Sequence, residues 1–377
     1  MELKKLIVQI AGSCLSIVLT AGALTVPVPV VAADLNTQLG FKALKSSSTP
    51  PFLNSVSQSV FEVLVPSAPS PEDVLFFNLN SPEFEQFKNR MASLPESAIS
   101  KQERIVVEKQ IENCRREKQE KQCGLFLTIE KATAFLAGGD GSYLLTNAHV
   151  VNRFLHMAAK TENKTVLDYL KVPRSVPIFL FDRSGNLVVD PYTMPPVLIK
   201  FGTPSLMAFI GGSGWYGDDS DYVVLQFTTP IGRPLTIANT VTIGESLYHL
   251  GFASCTGCGE AHNTTDPELN RDRKDSGNSD GKTLYWTAPG PLVSLDQAIS
   301  ILKAPAKFFE GSHKDNWIFF RSDSQVGMSG GPIVNTKGEV VGVYAGSKPI
   351  IKNDGSMSVL SRGVRPPEFD KAGSARR

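Results

Sequence analysis

The chain has 377 residues, with 38 Lys and Arg against 37 Asp and Glu and a formal net charge of +1. That balance argues against a protein that grips nucleic acid or an anionic membrane by bulk charge. Hydrophobic residues at 41% can build one or two cores, and 31 Gly and 25 Pro favour many turns and short strands, so collagen-like, coiled-coil and wholly disordered chains are excluded.

Lys4 and Lys5 precede an apolar stretch from Leu6 to about Leu24, which ends in Val31-Ala32-Ala33. This pattern predicts an export signal over residues 1–33, cleaved before Asp34; Pro27 and Pro29 speak against a membrane anchor. No later run is long and apolar enough to span a bilayer, so the expected mature chain is secreted or periplasmic, with no stable membrane insertion. Of the 5 Cys, Cys14 leaves with the signal, and Cys114, Cys123, Cys255 and Cys258 remain. An even count in an exported chain points to disulfides, by nearest neighbours Cys114–Cys123 and Cys255–Cys258, although three connectivities are possible. Cys255-Thr-Gly-Cys258 with His262 close behind also resembles half of a zinc site; disulfides are the expectation, with no metal.

Residues 34–105 read as an N-terminal extension or prosegment, because Ser46 to Pro51 and Pro66 to Pro71 are linker-like. Within it, Ser81-Pro82-Glu83 starts a helix carrying Phe84, Phe87, Met91 and Leu94 at helical spacing, and Pro95 stops it. Ser100 and Glu103 form a capping box for a second helix. From Gly124 the pattern becomes strand-like. Short runs fall at Leu125–Ile129, Ala132–Leu136, Tyr143–Thr146, Ile178–Phe181, Leu187–Val189, Val197–Phe201, Tyr222–Phe227, Leu247–Phe252, Trp317–Phe320 and Val340–Tyr344. Ser184-Gly185-Asn186 is a hairpin signal. Many short strands with frequent turns predict an all-β sandwich or barrel. Ala261 to Lys282 reads as a polar loop whose Asp275, Asn278 and Asp280 miss the calcium-loop spacing, and residues 351–377 read as a C-terminal tail.

Three segments carry chemistry: Thr146-Asn147-Ala148-His149-Val150-Val151, Asp219-Ser220-Asp221 ahead of an apolar strand, and Gly327-Met328-Ser329-Gly330-Gly331-Pro332. A serine hydroxyl is a poor nucleophile until a neutral imidazole removes its proton, and a buried carboxylate holds that imidazole in the right tautomer. Glycines around the serine let backbone N–H groups converge on a developing oxyanion. A His at a strand end or a Gly-x-Ser-Gly turn alone is usually structural; the three together, in this order, are not a common coincidence.

In that order the segments resemble the chymotrypsin/trypsin-like serine peptidases, of the bacterial type without a PDZ domain, over about Gly124 to Ser347. The resemblance implies two packed six-stranded β-barrels, with a partly helical extension before them. It divides the chain into a first barrel over 106–235 and a second over 236–350. It implies His149 as general base, Asp221 rather than Asp219 as the orienting acid, Ser329 as nucleophile, and the N–H groups of Gly327 and Ser329 as oxyanion hole. Asp323 would either stand at the base of the specificity pocket and attract Lys or Arg or be a loop acid facing solvent, while Ala345, Gly346 and Ser347 would wall the substrate. The implied function is an exported serine endopeptidase acting on protein or peptide substrates, without nucleic acid and without a cofactor; the other reading is a catalytically weak binding module or scaffold on the same fold. Two departures stand out. Met328 replaces the Asp that pairs with a freed amino terminus in many members, and Ala345 replaces a Ser that bonds the catalytic Asp. His156, His249, His262 and His313 have no comparable context and read as structural or surface residues.

Overall fold

The computed structural model describes residues 41–44, 49–96, 98–202, 221–252, 284–287, 289–302, 316–322, 327–351 and 357–367. Strand β1 (Phe41–Ala43) and helix α1 (Pro51–Val56) lead into β2 (Val60–Ser67). There follow β3 (Leu75–Phe77), α2 (Pro82–Ser93), α3 (Lys101–Arg116) and β4 (Cys123–Leu125). Next come β5 (Thr128–Leu136), β6 (Tyr143–Thr146), α4 (Ala148–Thr161), α5 (Val166–Tyr169), β7 (Arg174–Ser175) and β8 (Phe179–Phe181). After them lie β9 (Leu187–Val189), β10 (Val197–Phe201), β11 (Val223–Gln226), β12 (Ser246–Phe252), β13 (Leu284–Thr287) and β14 (Gly290–Val293). Helix α6 (Leu295–Leu302) precedes β15 (Trp317–Phe320), β16 (Pro332–Val334), β17 (Val340–Ile351) and β18 (Met357–Val364).

The strands form two large antiparallel assemblies. One is an eight-stranded sheet in the order β7-β10-β11-β6-β5-β2-β8-β9. It curls as a half-barrel with no closing pair among the described residues. The other closes on itself as a six-strand barrel, because β12 pairs with β14 at one side and β16 at the other. Its outer pair, β13 and β1, continues from β12. The mostly β, trypsin-like architecture expected from the sequence is therefore present, with one ring closed and its companion open.

The chain divides differently from the sequence reading in two places. First, β2 lies inside residues 34–105, yet it sits between β5 and β8 in the middle of its sheet, in unbroken register from Val60↔Phe135 to Ser67↔Thr128. Residues 68–127 are thus an insertion between two paired strands. Second, β18 lies inside the expected tail, yet it pairs with both β15 and β17 and is needed to close the ring. The single run Leu125–Ile129 is split between β4 and β5. Helix α4 was not anticipated either; Val150, Val151, Leu155 and Ala159 recur at helical spacing and bury into the core of the eight-stranded sheet.

The insertion builds a core of its own. Ser81 Oγ accepts the Phe84 N–H at 3.2 Å, and both halves of the Ser100/Glu103 capping box are made, so both helices begin where the sequence places them. Arg104 donates to the carbonyls of Met91 and Leu94, satisfying acceptors at the open end of α2. Cys114 and Cys123 are joined as a disulfide, with Cα atoms 5.5 Å apart, and pack among Leu79, Phe84, Phe87 and Val107. The opposite side of α3 places Val106 against Leu64, Phe179 and Phe181, so the insertion covers the outer face of the eight-stranded sheet. Cys255 and Cys258, and with them the second expected disulfide, lie outside the described residues, as do Asp219, His262, His313, the polar loop and residues 1–33.

Candidate active site

His149 enters on the first turn of α4, just past the end of β6, and Asp221 stands two residues before β11. Strands β6 and β11 are neighbours, in register Val223↔Thr146, so pairing brings the two residues together. His149 Nδ1 lies 2.8 Å from Asp221 Oδ2, and the His149 backbone N–H donates to Oδ1 at 3.0 Å. Asn147 Nδ2 donates to the Asp221 carbonyl at 2.6 Å. Asp221 is only 5% exposed, while the His149 side chain keeps 30% exposure and so faces the open side.

These surroundings set the charges. Burial pushes the His149 pKa down, but the Asp221 carboxylate and its hydrogen bond push it up and prevail, with a smaller downward push from Arg362. Burial raises the Asp221 carboxyl; the His149 ring, Arg362 and the His149 N–H outweigh it and hold it below the usual range. With Ala345 in place of a serine, the carboxylate is held by the His149 backbone and by nearby positive charge instead.

The Ser329 turn is gripped from both assemblies. Gly327 has φ +90 and Gly330 φ +84. A Cβ on Gly330 would come within 2.2 Å of both Thr133 O and Thr146 Oγ1 and 3.1 Å of Asn147 N, so only glycine fits. The residue after Ser329 is therefore packed on the backbone two residues before His149. No hydrogen bond joins Ser329 Oγ to His149 Nε2, a contact that apo enzymes often leave long. The carbonyls of Gly327, Met328 and Ser329 each have a donor. Thr133 Oγ1 donates to Gly327 O at 3.0 Å, Gly331 N–H to Met328 O at 3.1 Å, and Thr133 N–H to Ser329 O at 2.8 Å. The N–H groups of Gly327 and Ser329, by contrast, donate to no acceptor among the described residues. Met328 is 0% exposed and lies in the core of the six-strand ring with Phe320, Ile333 and Tyr344. The position that carries an ion-pairing Asp in many relatives is here an apolar anchor.

Ala345, Gly346 and Ser347 follow Tyr344 on β17, whose N–H and C=O bond Gly331 O and Gly330 N. A Cβ on Gly346 would meet no atom of the described residues within 4 Å. Asp323 lies outside the described residues. Thr133 is the residue that the sequence did not single out: it also accepts the Phe252 N–H at 2.8 Å. Thr133→Val, close in volume, leaves two buried backbone groups unpaired and is expected to cost about 2–4 kcal/mol of stability in urea unfolding, while Thr133→Ser stays near wild type. Equal unfolding midpoints for Val and wild type would contradict this. Among the described residues, no group of three or more His, Cys, Asp or Glu is placed to hold a metal ion, and no helix is long and apolar enough to cross a membrane.

The chain is similar to three solved structures, among others. Against the active form of the Rv3671c protease from M. tuberculosis, identity is 13% and the TM-score 0.37, covering 86% of this chain and 83% of that one. Against a Glu endopeptidase in complex with MPD the values are 12% and 0.38, covering 90% and 97%. Against the HtrA-type protease AlgW with a decapeptide they are 13% and 0.39, covering 86% and 67%. No curated protein matches the chain. A family profile, the trypsin-like peptidase domain, matches residues 132–343, which is more than half of the chain and runs from β5, past His149, Asp221 and Ser329, into β17. The chain belongs to the trypsin-like peptidase domain family.

Proposed function

We propose that the protein is an exported serine endopeptidase. His149 takes the proton of Ser329 Oγ as that oxygen attacks the carbonyl carbon of a peptide bond, and Asp221 keeps the imidazole proton on Nδ1. The tetrahedral oxyanion is met by the N–H groups of Gly327 and Ser329. The imidazolium then gives its proton to the leaving amine, an acyl-enzyme remains on Ser329, and water activated by the same imidazole releases it. The observation that carries this reading is the pair of hydrogen bonds from residue 149 to the buried Asp221 carboxylate, beside a turn in which the carbonyls of residues 327–329 have donors while the Gly327 and Ser329 N–H groups donate to no acceptor among the described residues. Protein or peptide substrates follow from the family, and Ala345 to Ser347 are proposed to wall the peptide. Export is supported by the signal-like start of the sequence and by the Cys114–Cys123 disulfide, which is at home in an oxidising compartment.

The test is labelling of the purified protein with a fluorophosphonate probe, followed by peptide mapping. One label on Ser329, absent from Ser329→Ala and from heat-denatured protein, is the expected result. A folded protein that takes no label would favour the scaffold reading, and a label that survives Ser329→Ala would place the nucleophile elsewhere.

A further inference from the structure

One histidine outside the proposed triad touches the nucleophile turn from behind. His249, in β12, is 0% exposed and its ring stacks on Tyr344 with centroids 3.8 Å apart and planes 19° apart. Its backbone N–H donates to Thr287 Oγ1 at 3.0 Å, so main chain and ring are both held. Its Nε2 lies 3.1 Å from Met328 O. A carbonyl only accepts, so this nitrogen carries the proton and the ring is the Nε2–H tautomer. Nδ1 is buried with no hydrogen-bond partner among the described residues, and burial pushes the pKa of the ring down to about 3, so the ring is neutral at ordinary pH.

Met328 O belongs to the same peptide unit as the Ser329 N–H. In a planar trans peptide the C=O and N–H point in opposite directions, so whatever holds the one aims the other. Met328 O accepts from the Gly331 N–H and from His249, the one through backbone and the other through a side chain.

We propose that His249 is a positioning residue, which through the Met328 carbonyl aims the Ser329 N–H at the place where the substrate oxyanion forms. It never touches substrate. The inference rests on the serine-peptidase reading and adds to it a residue 79 positions from its partner.

The test compares wild type, His249→Phe and His249→Gln. Phenylalanine keeps the ring and its stacking but donates nothing; glutamine places an amide N–H near Met328 O. With a fluorogenic peptide chosen from a library, His249→Phe is expected to lower kcat about 10-fold to 100-fold at unchanged KM, and His249→Gln to restore most of it. A peptidyl trifluoromethyl ketone, which forms the tetrahedral adduct, should weaken by the same factor as kcat. If His249→Phe fails to fold, His249→Asn, whose shorter amide stops short of Met328 O, replaces it with the same expectation. Unchanged kcat in the donor-less variant, or a loss confined to KM, overturns the proposal. A wild-type protein with no Ser329-dependent turnover would overturn the peptidase reading instead, so the two failures are distinguishable.

Discussion

His149→Ala, Ser329→Ala and the double variant are expected to fall to one common residual kcat, roughly 10⁶-fold below wild type. The equality is the sharper part of this expectation. Once the imidazole is gone, the Ser329 hydroxyl keeps its proton and is no better than water; once the hydroxyl is gone, the imidazole has nothing to activate. What remains in each case is substrate binding and the oxyanion donors of residues 327 and 329, which none of the three variants touches. The geometry makes the comparison clean. The His149 ring is held by Asp221 and the Ser329 turn by backbone bonds to Thr133, Gly331 and Tyr344, so neither truncation removes a strut of the fold. The measurement is kcat on one peptide substrate for all four proteins, with unfolding curves as control. Multiplying losses in the double variant, or a His149→Ala protein that keeps a tenth of its activity, would show that the two side chains do not act as a unit.

The candidate site is legible in the sequence because its signals are local. Thr-Asn-Ala-His at the end of an apolar run, an acid ahead of another, and a serine among glycines are each complete within six or so residues. So were the helix starts at Ser81 and Ser100, where the deciding hydrogen bonds span three residues. What escaped was set at a distance. Strand β2 is buried on both faces from Val60 to Ser67, so it shows no alternation, and its Pro-rich surroundings read as linker. Its partner β5 lies beyond the whole insertion. Strand β18 mixes Ser, Arg and Gly, and is a strand only because β15 and β17 flank it. Thr133 and His249 carry no motif; each becomes part of the site through one bond to a turn on another element, at separations of 194 and 79 residues. The same pairing predicts that deleting residues 34–105 would unfold the sheet, because they contain β2, which pairs with both β5 and β8.

Asp221→Asn should lower kcat about 10⁴-fold without unfolding the protein. The substitution is nearly isosteric, and the new amide oxygen can still accept the His149 backbone N–H that Oδ1 accepts now. That leaves the NH₂ group against Nδ1. An amide NH₂ donates, so Nδ1 must become the acceptor and the ring proton moves to Nε2, the nitrogen that should receive the proton of Ser329. The general base is lost by a tautomer change, with every atom still near its place. The pH profile supplies a second readout, because kcat/KM reports the free enzyme. In wild type the acid limb marks protonation of His149, which the Asp221 charge and hydrogen bond hold above its ordinary value against the opposing pull of burial. Neutralising residue 221 removes the two largest upward pushes and leaves burial and the Arg362 charge pulling down against only the smaller upward push of Glu130, so the limb of the residual activity should move to lower pH. Raising the pH should not restore the rate, since deprotonation does not correct a misplaced proton. A loss smaller than tenfold, or a limb displaced to higher pH, would mean that Asp221 neither orients nor charges the imidazole, and the short contact between them would then be a structural bond alone.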